Sequence, residues 1–285
     1  MRVAVIGGGP SGFVTLKYLI QASASISCEP VEAILFEYQT QVGGTFAARS
    51  YEDAELVSSK QLTTFSDFRH SEHGDFLSTE QAYGTANQAN VRGIWRRDEP
   101  TVGFIGFVRP SLGAIPPLAE MQAQLWILNI LAPEKIPHPL RATDEEHYRL
   151  KLPPDSRIEY GVDHESYVYQ LALDMNSAIG LWDVLAIAQK KHVRDGWRLL
   201  VVWAFGAHFN TKFRLLGPWQ WSGAEDMLIS EEFWQTITRR PLFFGHFLVS
   251  LLPMMIFGPL SLAASLWATV LGSIGCIQDS QERET

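Results

Sequence analysis

Three glycines near the start of the chain decide what its first forty residues can become. The sequence opens MRVAVIGGGPSG: an apolar strand from Val3 to Ile6, glycines at 7, 9 and 12 in GxGxxG spacing, then a helical run from Phe13 to Ile20. Strand, glycine turn and helix in that order form the first unit of a dinucleotide-binding fold. Gly7 permits the tight turn, Gly9 lets the backbone approach a pyrophosphate, and Gly12 lets helix and strand pack closely. The helix N-terminus then offers N–H groups to the phosphates. A second apolar strand, Val31 to Phe36, ends in Glu37, an acid placed to bond a ribose hydroxyl, at a gap a little longer than usual. The alternative is a glycine-rich turn that binds nothing.

The remaining composition narrows the class. At 285 residues and 46% apolar, the chain has room for one large domain or two modest ones. Its net charge of −8 and the lack of a Lys/Arg cluster interleaved with aromatics argue against nucleic acid as a partner. Cys28 and Cys276, far apart in unrelated contexts, argue against a disulfide framework and suit a reducing compartment. The glycines interrupt the opening apolar stretch and no small-residue cleavage site follows, so it reads as a strand and not a leader.

The far end is different in kind. From Leu242 to Ile277 there is no Asp, Glu, Lys or Arg, a run longer than the ~20 apolar residues that span a bilayer. Arg239 and Arg240 precede it and would hold the upstream chain on the cytoplasmic side. Pro253, Gly258 and Pro259 can break the run into a re-entrant hairpin or an interfacial anchor; the soluble alternative is a buried helix pair.

Between these ends, Val42 to Thr45 reads as a VGGT turn, 55–68 as loop and short strand across the nucleotide site, and 81–93 as linker. Val102 to Val108 reads as a buried strand. Pro116 to Leu131 reads as a helix with Leu118, Met121, Leu125 and Leu128 on one face. Charged, proline-rich residues 133–165 suggest surface loops, and 166–193 one or two helices broken near Gly180. The segment 196–240 carries Trp197, Trp203, Trp219, Trp221 and Trp234 on short helices, a composition that fits an interfacial belt or an ordinary core.

Five segments in order resemble the flavin-containing monooxygenase family: GGGPSG at 7–12, FEYQTQVGGTF at 36–46, SSKQLTTFSDF at 58–68, GFIGFVRPSLGAIPPLAEMQ at 103–122 and RLLGPWQWSG at 214–223. The resemblance implies that Gly7, Gly8, Gly9, Pro10, Ser11 and Gly12 hold the pyrophosphate of FAD and Glu37 its adenosine ribose. It also implies that Thr45, Phe46 and Ser58 lie along the flavin. Val57 stands where the family has Asn. The family's second nucleotide-binding domain, which holds NADPH, is replaced here by the 81–93 linker, and GFIG at 103–106 does not substitute for it, since it lies inside a strand.

The expected fold is α/β: a FAD/NAD(P)-binding Rossmann-like domain with a helical C-terminal segment and an apolar C-terminal membrane anchor. Its expected parts are an FAD-binding domain over 1–132, a helical and loop region over 133–240 and a membrane-associated segment over 241–277. By resemblance the function is a FAD-dependent, NADPH-using monooxygenase that oxygenates soft nitrogen or sulfur centres of amines or sulfides through a hydroperoxyflavin. It would sit at the endoplasmic reticulum membrane with the FAD domain facing the cytosol, and a separate electron donor could stand in for the missing domain. The other reading is a truncated, membrane-tethered, non-catalytic FAD-binding remnant.

Other clusters carry less. His70 and His73 lack a third metal ligand at useful spacing, Ser11 and Ser58 sit in no GxSxG elbow, and Asp144, Glu145, Glu146 and His147 read as a solvated loop. Arg109 either approaches the flavin edge or ends a strand at the surface.

Overall fold

A computed structural model describes residues 1–44, 65–66, 89–111, 113–137, 140, 146–153, 160–206 and 209–238, with isolated helical positions between 256 and 267. The opening run of apolar residues forms β1 (Arg2–Ile6), which leads through the glycine turn into α1 (Pro10–Ile26). Pro10 starts the helix with a fixed φ, where a missing N–H costs nothing. Val14, Tyr18, Leu19, Ala22 and Ile26 recur at helical spacing and are buried. Ser27, in the left-handed region at φ 54°, ends it. The Lys135 ammonium donates to the Ile26 carbonyl at 2.7 Å, placing a cation at the negative end of the helix. The chain returns as β2 (Glu32–Phe36), parallel to β1 with Val3 opposite Ala33 and Val5 opposite Leu35. Strand, helix and parallel strand make the βαβ unit that the glycine spacing calls for.

β3 (Trp95–Arg96) and β4 (Glu99–Gly103) form an antiparallel pair, and β5 (Arg109–Pro110) lies parallel to β6 (Gly161–Val162). The expected buried strand over 102–108 is therefore corrected. The strand spans Glu99–Gly103 and its first four residues are exposed. The chain then turns through Gly106 at φ +84°, a backbone conformation that a strand cannot contain. GFIG is a strand end and a turn, not strand interior.

The centre of the core is α2 (Ile115–Leu131). Leu118, Met121, Leu125 and Leu128 are buried as the pattern predicts, but so is every residue from Pro117 to Leu128. The periodicity predicts one apolar face; a helix buried all round from Pro117 to Leu128 is found. Glu120, Gln122 and Gln124 can be buried because other elements meet the first two of them: Tyr18 Oη donates to Glu120 Oε1 at 2.6 Å, and Gln122 Nε2 donates to Tyr167 Oη at 2.9 Å. Nothing in a single helix's pattern reveals such partners. Ala89 and Val91 to Ile94, which composition assigns in large part to a linker, are buried too, and the Arg92 guanidinium forms a two-pronged pair with Asp174 at 2.7 and 3.0 Å.

Further helices among the described residues are α3 (His164–Asp174), α4 (Leu181–Ala188), α5 (Val193–Phe205), α6 (Ala224–Ile229) and α7 (Glu231–Thr238), with 3-10 turns at Pro133–Lys135 and Asn210–Arg214. The break near Gly180 is present, with Gly180 capping α4. Of the tryptophans, Trp219 is completely buried, edge-on to Tyr18 with centroids 5.0 Å apart, whereas Trp197 is exposed.

The chain divides into two units, Met1–Trp234 and Gln235–Thr285. Among the described residues no helix is long and apolar enough to cross a membrane. The expected anchor over 241–277 falls almost wholly outside the described residues, and the structure lends a membrane span no support.

Candidate functional site

The site is built where β1 meets α1. Gly7 takes φ +99° and its N–H donates to the Phe36 carbonyl at 2.8 Å, which extends the β1–β2 pairing one residue past the strands. The backbone then doubles back into the helix so tightly that a Cβ on Gly12 would lie 1.8 Å from the Gly7 carbonyl oxygen. Only glycine fits there. At Gly7 and Gly9 a Cβ would meet nothing within 4 Å, so one side of the turn is open. The first intrahelical bond runs from the Phe13 N–H to the Gly9 carbonyl at 3.0 Å. The N–H groups of Ser11 and Gly12 precede it, at the positive end of the helix.

Glu37 closes the other side. Its Oε2 accepts the Gly8 N–H at 2.6 Å and its Oε1 accepts the Gln39 N–H at 2.8 Å. Those two backbone donors, Gln39 first and Gly8 second, hold its carboxyl below the usual carboxylate range, so it stays ionised at neutral pH. Each oxygen retains acceptor capacity toward a hydroxyl. Sequence spacing predicts that Glu37 meets a ribose; the structure shows that it braces the glycine turn itself.

The VGGT turn comes to the same place. The Gly43 N–H donates to the Gly8 carbonyl at 2.8 Å, and a Cβ on Gly44 would come within 3.0 Å of Gly9 Cα. Gly43 and Gly44 both have positive φ. Gly7, Gly8, Gly9, Pro10, Ser11, Gly12 and Glu37 are thus gathered at one point. Thr45, Phe46 and Ser58 lie outside the described residues, as do Val57, His70 and His73, so the flavin-side contacts rest on resemblance alone.

Gly106 is a residue that sequence reasoning missed. A Cβ on it would lie 2.2 Å from Ser11 Oγ, so the turn after β4 presses directly on the first turn of α1. Its N–H is held by Gln122 Oε1 at 2.7 Å. From there the chain of bonds runs through Gln122 Nε2 and Tyr167 Oη to the Arg92 carbonyl, the last step 2.6 Å. The GFIG glycines were the available signal, but the pattern shows a turn only when its partner is known.

A second cluster links distant segments. Glu120, fully buried, accepts the N–H and Oγ of Ser66 at 2.8 and 2.7 Å besides Tyr18 Oη. The Arg214 guanidinium donates to Tyr18 Oη, to Ser66 Oγ and to the Trp219 carbonyl. Residues from four of the resembling segments or their neighbours therefore converge on one buried ion pair, which anchors the Phe65–Ser66 stretch against α1 and α2.

Glu146 accepts from Tyr160 Oη at 2.7 Å, Tyr148 Oη at 3.1 Å and Arg149 at 3.1 Å, so it is no free acid; Asp144 and Glu145 lie outside the described residues. Arg109 sits in β5, its N–H bonded to the Tyr160 carbonyl at 3.1 Å. Among the described residues no group of His, Cys, Asp and Glu is arranged to hold a metal.

No family model matches the chain. Individual relatives do. The chain is 48% identical over 216 residues to "Monooxygenase cfoE" of Aspergillus candidus, a match covering 76% of this chain and 36% of that protein. It is 51% identical over 165 residues to "Monooxygenase PC-14" of Penicillium crustosum, covering 58% of this chain and 26% of that protein. It is 27% identical over 142 residues to "Flavin-containing monooxygenase 1" of Canis lupus familiaris, covering 47% of this chain and 24% of that protein. The matched stretches thus span about a quarter to somewhat over a third of these relatives' lengths, and the resemblance to flavin-containing monooxygenases is borne out.

Proposed function

From this kinship with the flavin-containing monooxygenases, we propose that the chain holds FAD at the β1–α1 turn and serves a monooxygenase reaction on soft nitrogen or sulfur centres of small amines or sulfides. One observation carries the reading: an open glycine turn at a helix N-terminus faces an ionised acid, Glu37, that is fixed in place by backbone N–H groups, one of them the turn's own. The fit to the cofactor is chemical. The open backbone at Gly7 and Gly9 admits a pyrophosphate, the first-turn N–H groups of Ser11 and Gly12 can donate to it, and Glu37 can accept from a ribose diol.

When bound, the flavin supplies the redox chemistry of oxygen activation. The protein's own work is to position it and exclude water. Gly12 fixes the distance between helix and strand, Gly106 backs Ser11, and the Glu120–Arg214 pair holds Phe65–Ser66 against the body of the domain. NADPH is the electron source implied by the resemblance. No second glycine fingerprint lies between Ser66 and Phe104, which favours a second reading in which the chain binds FAD without reacting directly with NADPH and takes electrons from a separate donor or none.

A visible spectrum of the purified chain, followed by anaerobic NADPH, separates these readings. A bound flavin that bleaches supports the monooxygenase. A bound flavin that does not bleach supports the separate donor or the non-catalytic remnant, and an absence of bound flavin refutes the proposal.

A further inference from the structure

The tryptophan-rich segment before the tail is readable from sequence either as core or as interface, and the structure separates its members. Trp219 is core. Trp197 is 62% exposed, and Val193, one turn earlier on the same face of α5, is 91% exposed. The opposite face of α5 is fixed: Gly196, Leu199 and Val202 are buried, and a Cβ on Gly196 would lie 2.6 Å from the Ala188 carbonyl oxygen. Val193 and Trp197 therefore cannot turn inward.

Beside them along the chain Gln189, Lys190, His192 and Arg194 are exposed. Two nearby basic groups are paired, Lys191 with Glu225 and Arg198 with Glu231, both at 2.7 Å. Asp195, half-buried, is the acid within this turn. Lys190 and Arg194 make no ion pair with any described residue. A protein with net charge −8 thus presents at one spot an apolar tip flanked by two cations that are in no ion pair among the described residues, with Asp195 the acid beside them. Exposed Trp and a protruding aliphatic between Lys and Arg are the residues that settle at a headgroup boundary, with the ring at the interface and long basic stems reaching anionic phosphates.

We propose that the first two turns of α5 dock on an anionic lipid surface through Val193 and Trp197, with Lys190 and Arg194 supplying the charge attraction. This inference is independent of the redox reading and of whether the 241–277 segment enters a membrane.

The test uses the full chain with Cys28→Ser and Cys276→Ser, an environment-sensitive fluorophore on Val193→Cys, and a control fluorophore on Ala24→Cys, an exposed position of α1. Vesicles are phosphatidylcholine alone or with about 30% phosphatidylserine. With anionic vesicles the fluorophore at 193 should shift to the blue and be quenched by doxyl-labelled lipid, while the one at 24 stays in water. Lys190→Ala with Arg194→Ala should lower partitioning of the labelled site about thirty-fold at low salt, from two lost contacts to anionic lipid. Three outcomes overturn the proposal: vesicles that bind while the 193 fluorophore stays in water, equal binding without phosphatidylserine, and a 193 fluorophore already buried before vesicles are added, which would show that protein and not lipid covers this face.

Discussion

Replacing Gly12 with Ala and, separately, Gly9 with Ala distinguishes what packing requires from what the cofactor requires. At Gly12 the added Cβ would stand 1.8 Å from the Gly7 oxygen and 3.0 Å from the Gly7 carbonyl carbon. Relief demands that helix and strand part by roughly 1 Å, an overpacking cost of about 1–3 kcal/mol. That displacement also pulls on the Gly7 N–H bond to Phe36 and the Gly8 N–H bond to Glu37. Gly12→Ala should therefore lose about 1–3 kcal/mol of stability, a sizeable share of what a domain of this kind possesses. At Gly9 the Cβ enters open space, so the cofactor-free chain should change by no more than about 1 kcal/mol, the scale of an N-cap exchange. Yet FAD affinity should drop more than about ten-fold, since the methyl occupies the face where a pyrophosphate approaches. Urea unfolding of the cofactor-free chain by circular dichroism measures the first quantity, and quenching of flavin fluorescence the second. An unchanged unfolding midpoint in Gly12→Ala, or wild-type FAD affinity in Gly9→Ala, would refute the account of the turn.

Other expectations follow from the buried polar groups and from Glu37. Asp174→Asn leaves the buried Arg92 guanidinium without its counter-charge and should destabilise the chain by about 3–5 kcal/mol, read by urea unfolding. Glu37→Gln should weaken FAD binding. Because the Glu37 pKa is depressed in the folded state, its contribution to stability is present above the unfolded carboxyl pKa and is lost as pH falls through the folded one. The difference in unfolding midpoint between Glu37→Gln and the native chain should accordingly narrow in acid. At the alkaline end, burial pushes Tyr148 up to about 12 and raises Tyr160 and Tyr167 as well. The unfolded chain ionises these phenols near about pH 10 while the folded chain keeps them neutral, so stability should decline from about pH 10 upward. Tyr148→Phe should blunt that decline; a stability profile that stays flat to about pH 11 would contradict it.

The part of the fold governed by near-neighbour rules was legible in the sequence itself. GxGxxG between a strand and a helix, an acid after the second strand, Pro at a helix start and Gly before another are local constraints of sterics and hydrogen bonding, so β1, α1, β2, α2 and the Gly180 break stand where spacing places them. That Gly7 to Gly12 and Glu37 lie together also needed only spacing, because the crossover brings the end of β2 beside the end of β1.

Tertiary structure alone decided which polar residues were buried and which turns touched. Composition assigns Ala89 to Gly93 to a linker, yet Arg92 is core because Asp174, 82 positions later, meets its charge. Periodicity gives α2 one apolar face, yet Glu120 and Gln122 are buried because Tyr18, Ser66 and Tyr167 satisfy them. GFIG resembles a strand, yet Gly106 turns against Ser11, ninety-five positions earlier in the chain. Trp197 and Trp219 look alike in a sequence, and only packing sends one to solvent and the other against Tyr18. The physical reason is common to all four: the free energy of a residue's burial or turning depends on its partner, and a partner far along the chain leaves no periodic trace near the residue it serves.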